Sequence, residues 1–347
     1  MEIKRLARLT KRVFFFFLPV LIVILSASTL AFFATFSATQ VEAAVFVAEE
    51  ETGAAGQATA SLGNVLLFLV PAIAGSFGIL YIIKRGKKRT LKRMFRGMLT
   101  FATGVILAFF LYKLNEILYE RIWFALWVKE PVEFTLYTIP ELYSTGSFLG
   151  FIMAGMIVGY IVTSSILSRG FTRKERNGSL IVISSLMGAF MAVILPTWTV
   201  LPLLIGLALW DIYAVFKGPI KEMVELDMNG KLMARWDPLG DDSDEFPFDN
   251  LTYDAGSWQL GIGDLVFYSV LAAHSLYYAT AYVRTEGWWM LPFFFVPVVI
   301  AILIGFAYTI YRLTRDDSTG ILPGLPIPMF LGVGTFILMM IIASLIL

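Results

Sequence analysis

Nine long apolar runs, separated by shorter polar stretches, organise the chain. They lie at roughly 13–38, 62–83, 97–118, 147–168, 178–196, 199–216, 260–281, 288–311 and 325–347. Most approach or exceed the ~20 residues that carry a helix across a bilayer. None alternates with the period of two expected of a barrel strand. In lipid every backbone amide and carbonyl has to be paired inside its own segment, so runs of this kind predict helices. The pattern predicts an all-α polytopic membrane protein with nine transmembrane helices.

The polar stretches orient the bundle. Threading the loops alternately places 23 of the 27 lysines and arginines on the side of the N-terminus. Only Arg121, Lys129 and Arg284 fall opposite, and Lys113 lies inside the third run. Basic loops stay cytoplasmic, so the N-terminus is expected in the cytoplasm and the C-terminus outside. The sequons at Asn177 and Asn250 then face the cytoplasm, where they carry no sugar. The first run has the basic start of a secretory signal, Lys4 to Arg12. It continues well beyond a cleavable apolar core and reads as a membrane anchor.

Composition sharpens the exclusions. Hydrophobic residues make up 58% of the 347, charged residues 15%, and mean hydropathy is +0.77. A net charge of +1 gives no overall field for nucleic acid. With no cysteine there is no thiolate site or disulfide, and a single histidine, His274, argues against a histidine-rich metal centre or a histidine triad. The longest connection, 217–259, holds ten acids between Glu222 and Asp254. It divides the chain into a six-helix part, 1–216, and a three-helix part, 260–347. An EF-hand in this acidic loop is not expected, because the ligand spacing and closing glutamate are missing.

Two acids lie well within the predicted spans: Asp211 near the end of the sixth and Asp264 near the start of the seventh. At ~1.5 Å per residue both sit about 6–9 Å below the cytoplasmic surface. Carboxylates at such depth cost a few kcal/mol and are expected to face a cavity or each other. A facing pair keeps one proton between them. The charged member can then act as general base on water while the protonated one polarises a carbonyl, which is aspartic-protease chemistry without metal or cofactor. The same pair equally suits a proton- or cation-coupled carrier or a leak channel, and position alone leaves both open.

The flanking residues favour the protease. Asp264 ends Gly261-Ile262-Gly263-Asp264, and Pro323-Gly324-Leu325-Pro326 with Pro328 opens the ninth run. Together these resemble the presenilin family of intramembrane aspartyl proteases. Residues 260–271, LGIGDLVFYSVL, are similar to the family's LGxGD…FYSVL segment. Trp210-Asp211 stands where the family has Tyr-Asp. Lys217-Gly218-Pro219 with Val224-Glu225 resembles its KGP…VE stretch, residues 300–305 its eighth helix, and Pro323–Pro326 its PAL motif. The resemblance implies Asp211 and Asp264 as catalytic pair and Gly261 and Gly263 as packing glycines. It also implies a substrate-positioning loop at Pro323, Gly324, Leu325 and Pro326. Since Gly324 replaces an alanine, Gly324→Ala is expected to be tolerated. The implied substrates are transmembrane helices that unwind and add a strand to the edge of the 217–259 loop. Gly230–Arg235 is the candidate strand there, and Tyr253-Asp254 is a decoy in a polar loop. Obligatory partner subunits are not expected, and the missing cysteines and short loops suggest a prokaryotic, archaeal cell membrane.

Other features read as structural. His274 lies about 15 Å along the helix from Asp264 and is expected to be a buried, satisfied imidazole. Phe14–Phe17, Trp288-Trp289 and Phe293–Phe295 read as lipid-facing anchors. Lys84–Arg96 sets topology, with anionic lipid as a secondary partner. Gly150, Ala154, Gly155 and Gly159 offer close packing. HExxH and GxSG are absent, signal peptide peptidases have the inverted topology, and prepilin peptidases lack the Asp-KGP and PAL context.

Overall fold

The computed structural model describes residues 2–35, 53–118, 141–167, 171–228, 252–254, 259–315 and 323–346. Among them the chain is almost entirely helical. Nine helices have twenty residues or more: α1 (Glu2–Ala34), α2 (Gly53–Lys84), α3 (Lys88–Leu118), α4 (Glu141–Leu167), α5 (Arg173–Ile194), α6 (Thr197–Phe216), α8 (Ile262–Glu286), α9 (Met290–Arg315) and α10 (Pro326–Ile346). A short helix, α7 (Pro219–Met228), follows α6, and two three-residue strands, β1 (Thr252–Asp254) and β2 (Gln259–Gly261), precede α8.

Eight of the long helices are apolar enough to cross a membrane. The ninth, α8, falls short because tyrosines, serines and His274 dilute its apolar residues. It is nonetheless at the centre of the fold. Leu265, Val266, Tyr268, Val270, Leu271, Ala272 and Ala273 are all buried, and α8 packs against α1, α5 and α9, and more lightly against α6 and α10. A central helix meets protein rather than lipid on most of its surface, so its polar groups can be satisfied by neighbours. His274 shows this, for its Nδ1 meets the Ala192 carbonyl at 2.8 Å and its Nε2 the Thr197 hydroxyl at 3.0 Å. The imidazole thereby ties α8 to the turn between α5 and α6, as a structural histidine.

Small residues set the closest helix contacts. A Cβ on Gly159 would stand 2.9 Å from Gly104 N and Thr100 O, and one on Gly155 would strike Gly104 O, so these two glycines seat α4 on α3. Gly150 meets nothing within 4 Å and Ala154 is exposed, so the packing stripe is shorter than expected. On α9, Gly305 lets the start of α10 approach: a Cβ there would be 2.5 Å from Pro328 Cα and 2.8 Å from its nitrogen. That contact fixes where α10 begins. Trp288 and Trp289 are exposed as anchors should be, but Phe294 is fully buried against Tyr278, Tyr282 and Phe336. The helical period turns one member of the Phe293–Phe295 cluster inward.

The start of the 217–259 connection is not loop. After a break at Lys217-Gly218, α7 docks under the elbow of α2 and α3, with Met223 against Ile83 and Leu91 and Glu222 paired with Lys84. Gly86 makes the elbow with φ +69°, a left-handed turn suited to glycine. Tyr253-Asp254 lies in β1 rather than in a polar loop. β1 runs antiparallel to β2, with Tyr253 opposite Leu260 and Thr252 opposite Gly261. Gly230–Arg235 lies outside the described residues.

Gly305→Ala should lower the melting temperature by several degrees, since overpacking costs about 1–3 kcal/mol. Gly334→Ala, where a Cβ meets nothing within 4 Å, should leave it unchanged. Thermal unfolding of the purified protein in one detergent compares the two.

Candidate active site

Asp211 reaches the interior because of its register on α6. Leu204, Leu207, Ala208 and Ala214 are buried, and Asp211 falls at the same helical spacing along that stripe. The next residue back, Trp210, points to an aromatic group instead, with Phe77 of α2 at 6.0 Å and Tyr213 at 5.4 Å between ring centroids. Asp264 is the third residue of α8, and one turn on along the same face comes the fully buried Tyr268. Each carboxylate is thus carried by a different helix, and α6 and α8 are in contact.

What joins them is the segment before α10. Pro326 opens that helix, a position where its missing N–H is no loss. Residues 323–325 are non-helical. The Leu325 amide donates to Asp211 Oδ2 at 3.2 Å. The neighbouring Gly324 lies directly on Asp264: a Cβ there would be 2.5 Å from Oδ2, 3.0 Å from Cγ and 3.3 Å from Oδ1. The Tyr268 hydroxyl donates to the Gly324 carbonyl at 2.8 Å. Two consecutive residues therefore touch the two aspartates, and Asp264 lies within electrostatic reach of Asp211. The structure brings together Asp211, Asp264, Gly324 and Leu325, with the buried Pro326 fixing the helix start.

The glycines before Asp264 have a different part from the one expected. A Cβ on Gly261 would make ordinary contact with Asp264 Oδ2 at 3.5 Å, and one on Gly263 with Phe267 at 3.9 Å. Among the described residues neither is demanded by packing. Gly261 instead ends β2 and caps α8, so the strand runs straight into the turn that holds Asp264. No group of three or more His, Cys, Asp or Glu gathers among the described residues. Two contributors were not singled out in advance: Tyr268, legible as the residue one turn from Asp264, and Gly305, whose need appears only once α9 meets α10.

The family model described as Presenilin matches residues 7–231, nearly two thirds of the chain. The chain belongs to the presenilin family. The matched stretch contains Asp211 and stops before Asp264. This presenilin-family chain is 30% identical over 184 residues to Presenilin-B of Dictyostelium discoideum; that stretch is 52% of this chain but only 34% of the relative. The chain is also similar to a solved structure of a presenilin family intramembrane aspartate protease. There the identity is 18% and the TM-score 0.48, covering 93% of this chain and 99% of that one.

The contact between Gly324 and Asp264 bears on the expectation that alanine at 324 is harmless. The added methyl has to push away the carboxylate or the loop. Gly324→Ala should lower any proteolytic rate that depends on Asp264 by tenfold or more, measured as initial cleavage rates in detergent. An undiminished rate would show that the loop retreats freely.

Proposed function

We propose that this presenilin-family chain is an intramembrane aspartic endopeptidase that hydrolyses peptide bonds of transmembrane segments. Asp211 and Asp264 are its catalytic pair and water its nucleophile. The observation that carries the reading is the meeting of both carboxylates with the consecutive residues Gly324 and Leu325. A carrier needs its acids to exchange with solvent or ions, and gains nothing from seating both against one fixed backbone segment.

In this reading the pair holds one proton. The ionised carboxylate takes a proton from water as the oxygen attacks the scissile carbonyl, and the protonated one donates to the carbonyl oxygen. The resulting gem-diol collapses as the amine leaves with a proton, and the pair returns to one proton. No cofactor is required by these steps. The substrate helix unwinds and adds a strand to the β1–β2 pair, whose second strand leads into Asp264; such addition reads the peptide backbone and so tolerates varied sequences. Pro323, Gly324, Leu325 and Pro326 hold the peptide against the acids.

The chain functions with nine transmembrane helices, α8 included, its N-terminus in the cytoplasm and its C-terminus outside. The bias of lysine and arginine supports that orientation. Residues 1–216 and 260–347 each bring one aspartate, with 217–259 between them on the cytoplasmic side. The chain acts without obligatory partner subunits in the cell membrane of a prokaryote, an archaeon; the absence of cysteine supports that placement.

The test is cleavage of a fluorescent transmembrane-segment substrate by the purified chain. Asp211→Asn and Asp264→Asn should each reduce the rate by at least a thousandfold while the protein still inserts and melts cooperatively. Retained activity in either variant would remove that residue from the dyad. The rate should also be bell-shaped in pH. At the acid end both carboxyls are protonated and no base remains, and at the alkaline end both are ionised and no acid remains. A profile flat from pH 4 to 9 would contradict a shared proton.

A further inference from the structure

We infer that Tyr268 is a positioning residue that sets Asp211 in place through a single peptide group; the inference rests on the protease reading of the same site. The Gly324 carbonyl, which accepts from Tyr268 Oη at 2.8 Å, and the Leu325 amide, which donates to Asp211 Oδ2 at 3.2 Å, are the two ends of one peptide bond. That unit is planar and rigid, with its C=O and N–H pointing in opposite directions. Fixing where the carbonyl points therefore fixes where the N–H points. A rotation of the plane that breaks the bond to Tyr268 also turns the amide away from Asp211.

The hydroxyl can serve as an anchor because its own direction is fixed. Tyr268 is 0% exposed, and its ring stands edge-on to Phe306 of α9 with centroids 5.9 Å apart. Phe306 is itself held edge-on by Phe17 of α1 at 5.4 Å. A buried phenol requires a partner for its O–H, and this one is given to a backbone carbonyl of the loop. Its hydroxyl meets the carbonyl end of the peptide group whose amide end meets Asp211.

Gly324 makes the anchor necessary. Without a Cβ the residue has the widest choice of backbone angles, so the plane that follows it turns more easily than after any other residue. A Cβ there would press on the Asp264 carboxylate. The residue beside one aspartate is thus a flexible one in the segment that must orient the other, and the tyrosine hydroxyl supplies the constraint.

Tyr268→Phe in the full chain keeps the ring and deletes the hydroxyl. With the fluorescent substrate, kcat should fall at least tenfold while KM stays within twofold and the melting temperature within two or three degrees. Phe306→Leu, which loosens the ring but keeps the hydroxyl, should give the same split at smaller size. Hydrogen exchange supplies a readout independent of cleavage: the Leu325 amide should exchange at least tenfold faster in Tyr268→Phe, with the Phe336 amide in α10 unchanged. A kcat within twofold of wild type, or a loss matched by the fall in folded fraction, overturns the positioning role. If the unaltered chain cleaves nothing, the protease reading fails, and the exchange rate of Leu325 alone decides whether Tyr268 sets the peptide plane.

Discussion

A carboxylate set among apolar helices costs free energy unless polar groups or a close fit receive it, and that constraint runs through much of this architecture. Asp211 finds a donor in the Leu325 amide, so α10 has to begin beside α6. Asp264 lies against Gly324, so the same start of α10 has to lie beside the first turn of α8. Neither contact survives unless α9 delivers the chain to that point. Gly305 permits this by letting Pro328 approach backbone to backbone. Three helices and one loop are therefore positioned by two acids, and the close packing of α9 with α10 follows from the same requirement.

The presenilin family membership and this geometry bear on different parts of the molecule. The matched family region ends at residue 231 and holds only the first aspartate. The second aspartate, the strand that enters its turn and the Pro323–Pro326 segment lie beyond it. Their place in the site rests on the contacts themselves: the amide on Asp211, the glycine on Asp264 and the tyrosine on the carbonyl between them. The two lines converge on Asp211, which belongs to both.

Hydropathy made the helices legible because lipid leaves a long apolar segment no other way to pair its backbone. The same signal was weakest where the fold is most protein-like. α8 carries the tyrosines, serines and histidine that a lipid-facing helix could not keep, and it is the central helix. Asp211 and Asp264 were legible as lone acids in apolar runs. The three-residue strands β1 and β2 were not, since a pattern of period two cannot declare itself in so few positions. α7 was hidden by its polarity, which belongs to a helix held by Met223 and Glu222 under an elbow rather than to one embedded in lipid. Phe294 was misread because a cluster of aromatic residues says nothing of which ring the helical period turns inward.

The role of Gly324 shows most clearly what residue types alone leave out. By size, glycine and alanine differ by one methyl, and exchanging them looks conservative. In the assembled site that methyl falls on a carboxylate oxygen. The smaller residue leaves that carboxylate undisturbed, and its freedom has to be limited from outside. The limit comes from a phenol on α8, one turn from that same aspartate, whose ring is braced by Phe306 of α9, itself held by Phe17 of α1. A change that loosens those rings need not touch either acid to disturb their geometry. Distance from the carboxylates is therefore a poor guide to which substitutions matter here; connection to the 324–325 peptide is the better one.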